Sequence, residues 1–416
     1  MTFAGCQLVD VLSLNAVDTV NSSNMESLFE NISLEANQFD LHCSPIKEYL
    51  KHKTVFITGG FGFLGKLLIE KLLRCDVKKV YLLVRGKKGK SFEERFESLK
   101  NESIYTEILK ANENIFSKIV LVSGDLQKLE LGIANDDQES LINEVEIVFH
   151  VAADVNFTQS LREAIETNVR GTREIIHLCR RIIKLNVLIY VSTAFCTPSF
   201  EVHEIYETEF DCDFMIDFVE NLKPKDYDDF EAISTRIIQP FPNTYAYSKA
   251  LAEKMIHKHE NEFKIAIIRP AIIATAFHEP LPGYTDNVYG VNGVVCGAGL
   301  GFLRIFHINN KLKANIVPAD YVINMMLAVS WLTVCENTSN YLQFILYSQV
   351  NKEKLEEISE SKIDSTRKEE IKIFNCSVTN NNPVTLKNVF GLFAIIPPNI
   401  ITCANFLKYS ITFCLH

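Results

Sequence analysis

The chain has 416 residues, of which 47% are apolar, so it can form two domains or one large α/β domain with an appendage. Its net charge of −10 at pH 7 argues against nucleic acid as the main partner. The 11 cysteines are an odd number and contain no Cys-x-x-Cys pair, so we expect reduced thiols inside a cell rather than disulfides or a zinc site. His257 and His259 do not share a helix face, and no metal site is indicated.

The N-terminal segment, residues 1–44, is predicted to be a flexible tail. It is rich in Asn, Ser, Asp and Glu. It lacks the basic start and the apolar centre that are typical of a signal peptide.

The first buried strand is predicted at 53–58, and a helix is predicted at 66–74. Between them lies a Gly-x-x-Gly-x-x-Gly turn, and this order is typical of a dinucleotide site. The first glycine allows the tight turn, the second lets the backbone approach a pyrophosphate, and the third packs the helix against the strand. The alternative is a glycine-rich turn without a ligand. The predicted cofactor-binding residues here are Thr58, Gly59, Gly60, Phe61, Gly62, Phe63, Leu64 and Gly65.

Five more strands are predicted, at 79–84, 118–122, 146–150, 187–191 and 265–270. Helices are predicted between them, the longest at 160–183. Apolar strands that alternate with helices indicate a parallel sheet covered on both faces. The sequence therefore predicts an α/β fold, a Rossmann-like doubly wound parallel sheet.

The end of the second strand bears on the choice of cofactor. An NAD site usually has Asp or Glu there, whereas this chain has Arg85 and, shortly after, Lys88. Because a guanidinium binds phosphate well, the pattern favours NADPH, with a solvated basic loop as the alternative. The other cofactor contacts predicted at strand ends are Asp125, Leu126, Ala152, Ala153 and Pro270.

A candidate catalytic pair, Tyr245 and Lys249, lies on a predicted helix at a spacing that places both side chains on one face. An ammonium beside a phenol lowers the pKa of the phenol, which can then protonate a carbonyl oxygen as hydride reaches the carbon. Both residues are also predicted to contact the cofactor. The spacing equally fits a surface lysine over a half-buried tyrosine. Thr193 or Ser192, after the fifth strand, is predicted to bind the substrate oxygen.

Asn168, in the long helix, is a candidate for holding a proton-relay water beside the cofactor. The alternative is a helix-surface or capping residue.

After the sixth strand the alternation ends. Residues 271–313 contain Gly, Pro and aromatic residues and are predicted to form a substrate-capping region. This region belongs to a predicted reductase domain at 45–347. A further helix of that domain is predicted at 319–332.

The remainder of the chain, 348–416, is predicted as a charged insertion at 352–372 and a short, atypical hydrophobic end. Residues 388–407 carry no charge but are interrupted by Pro397 and Pro398. A kinked membrane span, an interfacial or re-entrant segment that contacts the membrane surface, and a soluble hairpin are all consistent with this pattern.

Several segments together resemble the extended type of short-chain dehydrogenase/reductase, and more narrowly the alcohol-forming fatty acyl-CoA reductases. The resemblance covers 45–347, and the run 279–287 is its most specific part. The matching segments are 57–66, 70–74, 81–85, 148–153, 168–172, 191–195, 245–253, 279–287 and 315–322.

The resemblance implies reduction of a long-chain fatty acyl-CoA by two NADPH. The first hydride transfer releases CoA and leaves a bound aldehyde, and the second gives the alcohol, with Tyr245 protonating the oxygen. It also implies membrane association at the endoplasmic reticulum or peroxisome. The alternatives are an extended reductase acting on another lipid or a sterol, and a non-catalytic paralogue that binds NADPH.

The chain departs from that family at three places. Phe195 stands where the family often has Tyr, and Ala271 stands where Ser is usual. By comparison with that family, the C-terminal helical domain is expected to be truncated or replaced after 347.

Overall fold

The computed structural model describes residues 44–86, 89, 91–198, 204–303, 309, 311, 313–335, 371–377 and 384–385. Lys88 and the segment 388–407 lie outside these residues, so their predicted roles stay predictions. The strands are β1 (Thr54–Thr58), β2 (Lys79–Val84), β3 (Ile119–Ser123), β4 (Ile147–His150), β5 (Val187–Val191), β6 (Ile265–Pro270), β7 (Ile272–Ala274), β8 (Lys313–Ala314), β9 (Ile316–Pro318), β10 (Lys372–Cys376) and β11 (Val384–Thr385).

Helices cover both faces of the sheet. The α-helices are α1 (Pro45–Leu50), α2 (Phe63–Arg74), α3 (Phe92–Lys100), α4 (Thr106–Ala111), α5 (Asn135–Glu144), α6 (Leu161–Ala164), α7 (Gly171–Arg181), α8 (Cys212–Asn221), α9 (Tyr227–Ile237), α10 (Thr244–His257), α11 (Gly290–Gly299) and α12 (Ala319–Val334). Short 3₁₀ turns occupy Ser103–Tyr105, Ile115–Lys118, Leu129–Gly132 and Pro224–Asp226, and a π-helical turn occupies Ile165–Arg170.

The main sheet has seven parallel strands in the order β10-β6-β5-β4-β1-β2-β3. The strand order reverses between β1 and β4, where Thr58 lies opposite His150. Ligands of open α/β sheets bind in the crevice at the carboxyl ends of the strands beside such a reversal. The predicted Rossmann-like doubly wound sheet is confirmed.

Each face of the sheet has its own hydrophobic core because neighbouring residues of a strand point to opposite sides. In β1, Val55 and Ile57 join the core beneath α1, α2 and α12, whereas Phe56 joins the core beneath α7, α8 and α10. All three side chains are fully buried. A strand buried on both faces has to be apolar throughout, and this apolar pattern is what predicted β1 from the sequence.

The outermost strand, β10, was not predicted. Lys372–Cys376 pairs in parallel with β6, so that Cys376 lies opposite Pro270. The segment is short and begins within the charged run predicted at 352–372, and its apolar residues do not alternate regularly with polar ones, so its pattern does not identify a strand. Its pairing with β6 joins residues that are far apart in the sequence, so the local sequence pattern does not predict it.

The long helix predicted at 160–183 is interrupted by the π turn at Ile165–Arg170. Among the residues that the structure describes, no helix combines the length and the apolar character needed to cross a bilayer. The predicted membrane contact and location therefore stay predictions.

Glu279 anchors the segment after β7 to α2. Its carboxylate pairs with Lys71, accepts a hydrogen bond from Arg74 Nη1 at 2.7 Å and accepts another from Asn324 Nδ2 at 3.0 Å. Burial by itself raises the pKa of Glu279, but Lys71 and Arg74 outweigh it and lower the pKa to about 2. The most family-specific run thus connects the predicted capping region to the helix that follows the glycine turn.

Candidate active site

The glycine turn is too tight for side chains. Gly59 has a φ of +77°, which favours glycine, and a Cβ there would lie 2.7 Å from the backbone nitrogen of Ala152. A Cβ at Gly65 would lie 2.1 Å from the carbonyl oxygen of Gly59. The first and third glycines therefore bring β1, β4 and α2 into close contact, as a dinucleotide site requires.

Helix α2 begins within this turn, at Phe63. Gly62 is the residue that precedes the helix, and its missing side chain leaves the first-turn N–H groups without a side-chain cap. Such a helix end attracts phosphate through its N–H groups and its dipole. The turn therefore fits a dinucleotide pyrophosphate.

Two arginines lie together beyond β2. Arg85 is exposed, and a guanidinium nitrogen of Arg95, on α3, donates a hydrogen bond to its carbonyl oxygen. The Arg95 guanidinium also lies 4.6 Å from the ring centre of Phe61 in the glycine turn. Burial, with a smaller effect from Arg85, lowers the pKa of Arg95. Within the described residues neither arginine has a carboxylate partner, so the pair fits an anion.

Arg95 was missed by the sequence analysis. It belongs to a helix whose start is fixed by a capping box, in which Glu94 N–H donates to Ser91 Oγ at 3.1 Å and Ser91 N–H donates to the Glu94 carboxylate at 2.9 Å. That signal predicts a helix start, but it does not show that the helix lies against the glycine turn.

The other predicted cofactor residues occupy the ends of neighbouring strands. Ala152 N–H donates to Thr58 Oγ1 at 3.2 Å, which fixes the turn after β4 against the end of β1. Asp125 and Leu126 follow β3, where Gln127 N–H donates to Asp125 Oδ1 at 3.1 Å. Ala153 lies after β4, and Pro270 is the last residue of β6. Their contacts with a cofactor stay predictions.

Tyr245 and Thr193 meet at the carboxyl edge of the sheet. Asn243 starts α10 by accepting a hydrogen bond from Ala246 N–H at 2.8 Å, which places Tyr245 in the first turn. Burial raises the pKa of Tyr245 to about 12, and the nearby Thr193 hydroxyl opposes part of this rise. Of the two predicted hydroxyl residues, Thr193 is the one beside the phenol, whereas Ser192 lies beside the Cys196 thiol.

Lys249 does not lower the pKa of Tyr245 in this structure, and that prediction is wrong. Its ammonium donates instead to Val191 O at 2.7 Å and to the Tyr190 hydroxyl at 3.2 Å, and it lies 4.6 Å from the centre of the Tyr190 ring. Burial lowers the pKa of Lys249 to about 8, against an opposing effect of Glu253. The side chains share a helix face, but the strand end holds the lysine.

A buried ion pair lies one helical turn beyond Lys249. Arg269 Nη2 lies 2.5 Å from the Glu253 carboxylate, and Arg269 Nε donates to Glu253 at 2.9 Å. The Cys196 thiol donates to the same carboxylate at 3.2 Å. Helix α10 is thereby joined to the end of β6 and to the loop after β5. This pair was not predicted from the sequence.

Asn168 lies in the π turn and is 3% exposed. Its amide donates to Asp154 O at 3.1 Å and to Ser248 Oγ at 2.9 Å, and it accepts from Asp154 N–H at 2.9 Å. Both amide hydrogens are thus used within the protein, so the side chain connects helices and is not a surface residue. A role with a relay water stays a prediction.

The rim beside Tyr245 is apolar. The Phe157 ring lies 5.6 Å from the Tyr245 ring, centre to centre, and is 62% exposed. Val155 on the same segment is 55% exposed, and Phe195, two residues after Thr193, is 44% exposed. Exposed apolar side chains around a polar centre are typical of a site for an apolar ligand.

Residues 57–326 match the family described as male sterility protein, a family of NAD-binding domains. The fatty acyl-CoA reductase wat of Drosophila melanogaster is 38% identical over 312 residues, which cover 74% of this chain and 59% of that one. Human fatty acyl-CoA reductase 1 is 34% identical over 342 residues, which cover 81% and 60%.

Among solved structures, the thiolation-reductase di-domain of an archaeal non-ribosomal peptide synthetase is 17% identical with a TM-score of 0.50, covering 94% of this chain and 82% of that one. This similarity shows a shared fold. The chain spans about three fifths of the length of the curated relatives. With its family match, glycine turn and parallel sheet, the chain belongs to the male sterility protein family, and these two relatives are named fatty acyl-CoA reductases.

Proposed function

We propose that the chain reduces a long-chain fatty acyl-CoA to a fatty alcohol, using two NADPH and releasing CoA. The observation that carries the proposal is the pair of hydroxyl groups, Thr193 and Tyr245, at the same carboxyl edge of the sheet as the glycine turn. The names of the curated relatives support the same reaction.

Each residue has a distinct task in this proposal. A bound reduced nicotinamide supplies hydride to the substrate carbonyl carbon. The hydroxyls of Thr193 and Tyr245 hold the carbonyl oxygen, and Tyr245 gives the proton to the aldehyde oxygen in the second reduction. Because burial raises the pKa of Tyr245 to about 12, the phenol keeps its proton at neutral pH. Lys249 is proposed to hold the cofactor as an ammonium, which the strand end positions through Val191 O and the Tyr190 hydroxyl.

The acyl chain is proposed to lie along Val155, Phe157 and Phe195. All three are exposed and apolar, and Phe157 packs beside Tyr245. Burying a hydrocarbon chain there contributes about 25 cal/mol for each Å² of apolar surface removed from water. A sterol or another lipid is the alternative substrate, and in that case acyl-CoA would stay unreduced in the following assay.

The decisive experiment is product analysis. Purified protein is incubated with NADPH or NADH and with acyl-CoA of increasing chain length, and aldehyde, alcohol and free CoA are quantified. We expect alcohol and free CoA with the long-chain substrates. If NADPH binds but neither product forms with any acyl-CoA, the chain is a non-catalytic NADPH-binding protein or acts on another lipid.

The preference for NADPH is proposed to come from Arg85 and Arg95. We expect Arg95→Ala to weaken NADPH binding by about tenfold, because one charge-assisted bond to the 2′-phosphate is lost, and to leave NADH binding unchanged. Lys100→Ala is the matched control. Lys100 is another cation of α3 that lies over an aromatic ring, 4.9 Å from the centre of Phe96. Titration of protein fluorescence measures both affinities. An equal loss for NADH and NADPH would contradict this assignment.

The protonation of Lys249 predicts a pH profile. Its surroundings are Tyr190 on β5, His150 on β4, the Cys196 thiol and Glu253 on α10. Since the pKa of Lys249 is about 8, the ammonium form is lost as the pH rises through 8, and kcat/KM should fall over that range.

The substitution Lys249→Arg tests this origin of the pH profile. An arginine keeps its charge at all these pH values, so the decline around pH 8 should disappear whatever the absolute rate. Lys254→Arg changes a lysine on the same helix that pairs with Glu207 at 2.8 Å, and it should keep the wild-type profile. If the decline in kcat/KM persists in Lys249→Arg, it is caused by the titration of another group, and the prediction is wrong.

A further inference from the structure

A buried histidine at the crevice has no task in the reaction proposed above. His150 ends β4 and is 1% exposed. Its Nδ1 lies 2.7 Å from Thr58 Oγ1, and its Nε2 lies 3.1 Å from Thr172 Oγ1. Burial, together with the charge of Lys249, lowers the pKa of His150 to about 3, so the imidazole is neutral under ordinary conditions.

The neighbours of His150 determine its tautomer. Thr172 donates its one hydroxyl hydrogen to Asn168 O at 2.7 Å, so its oxygen has to accept the hydrogen of His150 Nε2. The other ring nitrogen is then an acceptor. The Thr58 hydroxyl donates to it and accepts from Ala152 N–H at 3.2 Å. Every donor in this series of hydrogen bonds then has an acceptor, which favours the tautomer with the hydrogen on Nε2.

This series of hydrogen bonds ends in the π turn, Ile165–Arg170. A threonine hydroxyl bonded to a carbonyl four residues earlier bends a helix, and π turns are frequent at functional sites. Here the carbonyl belongs to Asn168, and the amide of the same residue donates to Ser248 Oγ at 2.9 Å. Ser248 Oγ in turn donates to the carbonyl oxygen of Tyr245 at 2.9 Å. The π turn is thereby connected to the first turn of α10.

Asn168 is also connected to the apolar rim. Its amide makes two hydrogen bonds with the backbone of Asp154, at 2.9 and 3.1 Å. Asp154 precedes Val155 and Phe157, and Phe157 packs beside Tyr245. One side chain therefore fixes both the helix that carries the proton donor and the segment proposed to contact the substrate.

We infer that His150 is a positioning residue: through Thr172 it holds the π turn that orients Asn168, and Asn168 orients Tyr245 and the segment that carries Phe157. The inference rests on the proposed function. It assigns no proton transfer to the imidazole, whose Nε2–H is a fixed hydrogen-bond donor.

The substitution Thr172→Val tests the inference. It keeps the shape of the side chain but removes both the acceptor for His150 and the donor to Asn168. We expect kcat to fall by about tenfold or more, since small displacements of catalytic groups are costly, while NADPH affinity is unchanged. Thr172→Ser keeps the hydroxyl and should restore most of kcat.

The matched control is Thr333→Val on α12. Thr333 is also buried, and its hydroxyl also donates to the carbonyl four residues earlier, Val329 O, at 2.7 Å. Thr333→Val should lower thermal stability without changing kcat. If Thr172→Val and Thr333→Val have the same kcat, the inference is overturned.

Two measurements separate this inference from the proposed reaction. Hydrogen–deuterium exchange should become faster in Thr172→Val at 165–170 and 244–249 but not in Thr333→Val, whether or not acyl-CoA is reduced. His150→Gln, whose amide can replace the Nε2–H donor, should retain more of the wild-type exchange protection than His150→Asn, whose shorter amide cannot reach Thr172. Equal protection in these two variants, or unchanged exchange in Thr172→Val, would refute the positioning role.

Discussion

Replacement of Tyr245 by phenylalanine is expected to reduce acyl-CoA turnover by about 100- to 10,000-fold, because the proton donor is removed while the ring remains. The phenol is the group that lies near the Thr193 hydroxyl. Its ring packs against Phe157, with 5.6 Å between the ring centres, and phenylalanine can keep that contact. Binding of NADPH should therefore be preserved, and the loss should appear in kcat.

The measurement pairs product formation with a fluorescence titration of NADPH. Tyr247→Phe is the matched control, because Tyr247 lies on the same helix and is 1% exposed. Its hydroxyl has no hydrogen-bond partner among the residues that the structure describes. Tyr247→Phe should keep the wild-type rate. A Tyr245→Phe variant that still forms alcohol at the wild-type rate would exclude Tyr245 as the proton donor.

Features set by neighbouring residues were predictable from the sequence. The apolar runs 54–58 and 187–191 predicted strands because both faces of the sheet are covered. The glycine turn was predictable because Gly59 and Gly65 leave no room for a Cβ. The spacing of Tyr245 and Lys249 correctly placed both residues on α10.

Features set by distant residues were not predictable. Helical spacing suggested that Lys249 faces Tyr245, whereas the end of β5 offers Val191 O as a closer partner for the ammonium. The proximity of Arg95 to Phe61 depends on how α3 packs, and β10 depends on pairing with β6. In each case the deciding contact joins segments that are remote in sequence, so local periodicity carries no information about it.

The second large effect concerns the ion pair of Glu253 and Arg269. Both side chains are about 1% exposed, so neither charge can be solvated if its partner is lost. Glu253→Gln keeps the size of the side chain but removes the carboxylate charge that pairs with the buried guanidinium. We expect a loss of about 3–5 kcal/mol in the free energy of unfolding, measured by denaturant titration.

Two variants control for this interpretation. Glu262→Gln breaks the pair of Arg180 and Glu262, whose side chains are 39% and 34% exposed, and should cost less than about 1 kcal/mol because water replaces the lost contact. Adding Arg269→Met to Glu253→Gln also removes the buried positive charge and should recover part of the stability. If Glu253→Gln and Glu262→Gln destabilise the protein equally, the ion pair does not hold α10 in place.

The same substitution connects stability to the active site. Glu253 lies one helical turn after Lys249, and its negative charge opposes the effect of burial on the pKa of the lysine. Removing that charge lowers the pKa of Lys249 below its present value of about 8, so the decline in kcat/KM should begin at lower pH in Glu253→Gln. Glu262→Gln should keep the wild-type profile. An ion pair that only stabilised the fold would change the unfolding free energy but not this profile, and a shift to lower pH would show that it also keeps Lys249 charged at neutral pH.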